Sequence, residues 1–250
     1  MKKIKKSKYV QTIKKEETSR WKSLMPLIVL AVLAVAILAG VMLITSSDQR
    51  TLTSTSGQTS GTQTSANQDT EEQALEKSDA TAQSCYADIE IENYGIITVY
   101  LDGEAAPITV NNFVELAKSG FYDGLTFHRI IEGFMMQGGD PNGNGTGGSD
   151  NTIVGEFTDN GYANFLSHTR GTISMARSSA YNSASSQFFI VHEDSTFLDG
   201  QYAAFGYVTE GMDVVDKVCA DAVPIDGNGL ILSDEQPVIT SITIREAEGE

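Results

Sequence analysis

Phe127-His128-Arg129-Ile130-Ile131-Glu132-Gly133-Phe134-Met135-Met136-Gln137-Gly138-Gly139-Asp140 is the stretch whose reading decides the fold. It opens and closes on apolar residues of strand type and breaks at Glu132-Gly133, which predicts two short strands around a tight turn. Side chains of a strand alternate faces. Phe127, Arg129 and Ile131 would share one side, and Met135 and Gln137 one side of the second strand, with Met136 turned away. A guanidinium, an amide and a thioether would then meet beside apolar carbon. Taking an arginine out of water is costly unless partners accept its protons. Arg129 is therefore either a strand-end arginine paired with a carboxylate or part of a site. Gly138-Gly139-Asp140 reads as a turn holding the strand end.

Outward from this centre the chain alternates polar and apolar at 88–92 and 97–101, with Asn93-Tyr94-Gly95 between, which predicts a hairpin. Pro107 opens a helix in which Val110, Phe113, Val114 and Ala117 keep the i, i+3, i+4, i+7 spacing, and Gly120 stops it. Short strands are expected at 172–175, 188–191, 204–208 and 239–245, and a second helix over 212–220. The expected fold is mainly β. Some eight antiparallel strands without a βαβ rhythm suit a closed barrel, with two helices over its open ends.

The net charge of −16 is unevenly spread. Residues 1–44 carry nine Lys/Arg and two Glu, whereas the rest carries eight Lys/Arg and 31 Asp/Glu. So acidic a body does not suit nucleic acid, which is bound by clustered cations. Residues 24–44 hold no charge, and at helical rise they reach roughly 30 Å, the thickness of a bilayer core. They are read as an uncleaved transmembrane anchor, a cleaved signal peptide being the rival. The lysines and arginine before the span place residues 1–23 in the cytoplasm and the domain outside the cell membrane. In 45–84, 26 of 40 residues are Ser, Thr, Gln, Asn or Gly, too few apolar side chains to order a segment. Residues 45–85 are read as a flexible linker and 86–247 as the folded domain.

Other chemistries find little support. The glycine-rich segment 141–149 lacks the Gly-Lys-Ser/Thr ending of a phosphate loop. His128, His168 and His192 lack metal-ligand spacing and read as histidines hydrogen-bonded to backbone. No serine lies in a Gly-x-Ser-x-Gly elbow. Cys85 and Cys219 could pair outside a membrane or remain free thiols, and free thiols are the preferred reading.

The opening stretch resembles the central signature of the cyclophilin family of peptidyl-prolyl isomerases. Gly171-Thr-Ile-Ser-Met-Ala176, Ser186-Gln-Phe-Phe-Ile190 and Phe197-Leu-Asp-Gly200 resemble further family segments in the right order. The resemblance spans most of 86–246 and implies a barrel with its site on the outer wall. It implies Arg129 and Gln137 as catalytic residues, the first as donor and the second as its orienting partner. It also implies substrate binding by Phe134, Met135, Ala176, Arg177, Gln187, Phe189, Phe197, Leu198 and Tyr202, with Ala176 and Arg177 acting through their main chain. No cofactor and no metal are implied. The expected partners are proline-containing polypeptide clients outside the membrane and the lipid bilayer through residues 24–44. The domain is expected to be monomeric, and a proline-segment binding module without turnover stays open as an alternative. Phe197 stands where many eukaryotic members have tryptophan and Tyr202 where they have histidine, so weak cyclosporin binding is expected.

Overall fold

The structure is a computed structural model that describes residues 79–247. In chain order they form β1 (Cys85–Ile91), β2 (Gly95–Leu101), α1 (Pro107–Lys118), β3 (Thr126–Ile131), β4 (Met135–Asp140), β5 (Thr172–Met175), β6 (Phe188–Val191), β7 (Ala204–Glu210), α2 (Met212–Asp221) and β8 (Ile239–Glu246). Alternation sets the faces. In β1 the side chains of Cys85, Ala87, Ile89 and Ile91 are buried while those between them are not. The strands make one antiparallel sheet in the order β3-β4-β6-β5-β7-β2-β1-β8. Its core brings together Phe113 of α1, Tyr122, Phe127, Phe188 and Phe205 with the inward faces of β1 and β2.

The mainly β architecture with two helices is as expected, but the seam differs from a barrel closed by continuous ladders. β3 and β8 are the sheet edges, and the eight strands form a half-barrel. The segment leading into β8 joins the two edges through an isolated bridge between Thr126 and Val238. Beside it the Phe127 amide donates to Pro237 O at 2.9 Å and the Ile239 amide to Leu125 O at 2.8 Å. The backbone groups of both edges are thereby satisfied locally.

The β3–β4 hairpin departs from simple alternation. Phe127 pairs with Gly138 and Arg129 with Gln137, so His128 is an extra residue in the ladder. Such a bulge turns the side chains beyond it to the other face. Phe127 is consequently in the main core and not beside Arg129, which corrects the reading of that face. Gly138-Gly139-Asp140 is strand and not turn. Gly139 sits at φ +79°, and a Cβ there would lie 2.6 Å from Ser186 O, a position only glycine fills.

Helix α1 begins with proline, and the Ala106 side chain cannot cap it. The buried Glu156 carboxylate takes that place, accepting the amides of Ile108 and Thr109 at 3.1 and 2.8 Å. β1 starts at Cys85, and Ser84 Oγ already accepts the Gly103 amide. Both cysteines are buried free thiols, and burial, with Asp216 and Glu132 nearby, pushes the Cys219 thiol up to about 12. No helix among the described residues is long and apolar enough to cross a membrane. The expected tail, the anchor at 24–44 and all of the linker before residue 79 lie outside the described residues.

Asp140 ends β4 and holds the loop that follows. Its carboxylate accepts the amides of Asn142, Asn144 and Gly145 at 2.8, 3.0 and 2.6 Å. Burial alone would raise its pKa, but these three donors and His128 outweigh burial and hold it below the ordinary value. Its contribution to stability is therefore complete above the ordinary carboxylate pKa and is lost as pH falls through the lower folded value. Asp140→Ala should lower the thermal midpoint by about 5–10 °C at neutral pH, the loss of two or three charged hydrogen bonds. The gap to wild type should shrink below about pH 4. Melting curves at pH 7 and pH 3 check this, and an equal gap at both would contradict it.

Candidate active site

The bulge leaves Arg129 on the face opposite the main core, and the register places it directly beside Gln137. A second, smaller apolar cluster covers this outer face. Met135, Phe189 and Val191 are its buried members, with Ile131, Phe134, Ala176, Leu198 and Tyr202 packed around them. Met135, Phe189, Phe134, Ala176, Leu198 and Tyr202 of this cluster, with Arg129 and Gln137, line much of a cleft of about 580 Å³. The cleft is apolar on one side and carries a cation on the other.

Every polar contact of Arg129 constrains its fork. Nε donates to Asn228 O at 2.7 Å, and Nη1 lies 3.3 Å from Gln137 Oε1 and 3.6 Å from Met135 Sδ. The guanidinium carbon is 5.8 Å from the Phe134 ring centroid. Nη2 has no hydrogen-bond partner among the described residues. Burial lowers the pKa of Arg129, opposed by Tyr202 and Asp226, yet an arginine keeps its charge at physiological pH. Gln137 is itself oriented: its Nε2 donates to Gln187 Oε1 at 2.9 Å, and Gln187 Nε2 donates to Gly147 O at 2.7 Å. Two amides in series thus fix which end of Gln137 faces the arginine.

Of the residues expected here, Arg129, Phe134, Met135, Gln137, Ala176, Arg177, Phe189, Leu198 and Tyr202 line the cleft. Two stand apart. Gln187 lines an adjoining, more polar cavity of about 350 Å³ and reaches the cleft through Gln137. Phe197 is 66% exposed and lies at the rim with its ring 5.6 Å from that of Phe134. The Ala176 amide already donates to Gln187 O, which leaves its carbonyl as the group to offer a ligand. The Arg177 side chain is spent on the protein: Nε donates to Gln201 O at 2.9 Å. Its guanidinium lies over the rings of Phe157, Tyr181 and Tyr202 at 5.2, 5.0 and 4.7 Å.

Sequence reasoning missed His128, Asn144, Gly145, Asp226, Asn228 and Leu230, which also line the cleft. The last three form a strap over β3. Asp226 Oδ1 accepts the amides of Asn228 and Leu230, and the Ile130 amide donates to Gly229 O at 2.8 Å. Gly229 has φ +86°, and a Cβ there would meet Ile130 O at 2.7 Å. The Asp-Gly-Asn-Gly run marks a turn, but nothing local in it points to a contact about a hundred residues away.

The histidines divide. Neither nitrogen of buried His128 has a partner among the described residues. Burial lowers its pKa, Asp140 opposing and Arg129 reinforcing, so it is neutral at neutral pH. His168 bonds to side chains, against expectation: Nδ1 is 2.8 Å from Asp199 Oδ1 and Nε2 3.0 Å from Ser174 Oγ. The order resembles a hydrolytic triad, but Ser174 is wholly buried and no acyl group can reach it. His192 alone bonds to backbone through its ring as expected, accepting the Gly133 amide.

Comparison with known proteins bears on the family. Residues 86–248 match the family model described as cyclophilin type peptidyl-prolyl cis-trans isomerase/CLD. A peptidyl-prolyl cis-trans isomerase of Helicobacter pylori J99 is 44% identical over 144 residues, 57% of this chain and 85% of that one. Peptidyl-prolyl cis-trans isomerase B of Bacillus subtilis is 48% identical over 123 residues, 49% of this chain and 82% of that one. A Cryptosporidium parvum cyclophilin-type isomerase, crystallised in the presence of the dipeptide Ala-Pro, superposes with a TM-score of 0.57 at 31% identity. It covers 65% of this chain and 99% of that one. The oriented guanidinium, the apolar cleft beside it and these matches lead to one conclusion: the chain belongs to the cyclophilin-type peptidyl-prolyl cis-trans isomerases.

Proposed function

We propose that this isomerase acts on Xaa-Pro bonds of proteins delivered across a membrane, with Arg129 as the group that stabilises the twisted amide. Rotation about a peptide bond breaks amide resonance and costs about 18–20 kcal/mol. In the twisted state the prolyl nitrogen becomes pyramidal and gains a lone pair. A donor fixed beside that nitrogen stabilises the twisted state more than the planar one, which is the requirement for catalysis. No bond breaks and no proton has to leave.

The observation that carries this reading is the restraint of Arg129 by Asn228 O and Gln137 Oε1 at the edge of an apolar cleft. Its Nη2 is the group left for a ligand. Met135, Phe189, Leu198 and Tyr202 would hold the prolyl ring, Phe134 would close the wall toward Arg129, and Phe197 would shelter it from the rim. Gln137 orients the arginine, Gln187 orients Gln137, and the main chain of Ala176 and Arg177 would hold the client backbone. Proline-containing polypeptides are thus the proposed clients, bound by a monomeric domain. The isomerase crystallised with Ala-Pro supports that choice of ligand.

Placement outside a membrane rests on the sequence alone: the uncharged span 24–44 and the cationic residues before it. Residues 1–23 would be cytoplasmic, 24–44 would sit in the lipid bilayer, and 45–85 would link the anchor to the domain at 86–247.

Arg129→Ala should lower the isomerisation rate of a proline peptide by about 100- to 1000-fold while changing its affinity far less. Arg129→Lys should recover little, because an ammonium cannot keep the planar fork that Asn228 and Gln137 hold. Rate and affinity falling together would make Arg129 a binding residue. A wild-type chain that binds such peptides without turnover would be a binding module instead.

The placement is tested on intact cells. Added protease should cut within residues 45–84 and release a folded acidic fragment. Cutting only after the cells are opened would overturn the orientation.

A further inference from the structure

His192 follows β6 directly and stands behind the cleft, outside its lining. Its hydrogen bonds nevertheless run into the turn that carries Phe134. The His192 backbone amide donates to Phe134 O at 2.8 Å, and His192 Nδ1 accepts the Gly133 amide at 2.9 Å. A backbone N–H can only donate, so Nδ1 must present its lone pair and the ring proton of the neutral imidazole is on Nε2. Nε2 lies 3.2 Å from Asp216 Oδ1 on α2. Asp216 is held in turn by Arg170, whose Nη2 donates to both carboxylate oxygens at 2.7 and 2.9 Å. Nη1 of the same arginine donates to His192 O at 2.6 Å. The Gly133 amide thus selects the tautomer, and the Asp216 carboxylate on the Nε2 side of the ring favours a proton there.

The turn needs such a tie. Gly133 lies at φ +82° with nothing within 4 Å of where a Cβ would be, so side-chain packing does not fix it from that side. What it carries is the wall of the cleft: the Phe134 ring, with the Arg129 guanidinium 5.8 Å from its centroid. We propose that His192 is a positioning residue of the isomerase, holding the Gly133 amide through Nδ1 and so fixing Phe134 against the prolyl ring. Asp216 of α2, held by Arg170, places its charge on the Nε2 side of the imidazole and favours the tautomer this requires. This rests on the reading of Phe134 as a wall of the proline pocket.

A wall contact acts on the planar and the twisted substrate alike, so its loss raises KM and spares kcat. The two halves of the imidazole can be replaced separately. In His192→Asn the amide oxygen takes the place of Nδ1, whereas in His192→Gln the amide reaches only the place of Nε2. Kinetics on the full-length chain with a proline peptide should show KM raised about 3- to 10-fold in His192→Ala and His192→Gln, the worth of one hydrogen bond. His192→Asn should stay near wild type, and kcat should hold within about twofold in all three. The Gly133 amide proton should move upfield in the first two variants and keep its shift in the third. Equal KM in the Asn and Gln variants would overturn the proposal, and that comparison survives even if His192→Ala does not fold. Phe134→Ala separates the two layers of the argument. If it leaves KM unchanged, the pocket reading falls and the proposal with it. If it raises KM while the His192 variants do not, only the role of His192 falls.

Discussion

One extra residue in one strand organises the site. Without the bulge at His128, strict alternation would put Phe127 and Arg129 on the same face, and one of them would be misplaced. A guanidinium turned into the main core would lose its water among aromatic and aliphatic side chains. The bulge resolves this by sending Phe127 inward to the core ring cluster and Arg129 outward beside Gln137. It costs local ladder regularity, and the His128 carbonyl it frees is taken up just past the strap, where the Ile231 amide donates to it at 2.9 Å.

The outer face that results is held from several directions. The strap at 226–230 fixes one edge of the guanidinium, and the paired glutamines fix the next. The Asp140 nest shapes the loop that brings Asn144 and Gly145 to the cleft and Gly147 to Gln187. On the apolar side, Phe189 is stacked on His168 at 6.0 Å, and His168 is braced by Ser174 and Asp199. Restraints of this kind favour catalysis by electrostatics, because a donor already in place does not need to reorganise when the transition state forms. They also explain why a site on an outer wall can be ordered without being buried in the core.

The strands and helices were legible because their signals are local. Alternation in 88–92 and 97–101, the helical spacing from Val110 to Ala117 and the apolar run at 188–191 each depend on near neighbours. Much of the cleft was legible through resemblance to the family. The bulge was not, because FHRII is apolar on both faces and any register looks acceptable. The strap was not, because a turn announces its shape and not its destination. Arg177 shows the same limit: its main chain was placed by resemblance, but its cage needs Phe157, Tyr181 and Tyr202, which are far apart in the chain. Nothing short-range shows that Gln187 works through Gln137 instead of touching the cleft.

The central claim is that a fixed, permanently charged guanidinium lowers the barrier to rotation with no proton transfer. Three titratable groups near it could have suggested otherwise: His128, Tyr202, and Asp226, whose Oδ1 is occupied by the amides of Asn228 and Leu230. The neutral imidazole of His128 is buried, however, and Tyr202 is part of the apolar wall. The most direct measurement is the cis/trans exchange rate of an Xaa-Pro peptide bound to the full-length protein, taken by NMR magnetisation transfer in H2O and in D2O. The account predicts bound exchange far faster than in free peptide, with a solvent isotope ratio near unity. A clear slowing in D2O would mean that a proton moves in the transition state, and the electrostatic account of Arg129 would be wrong.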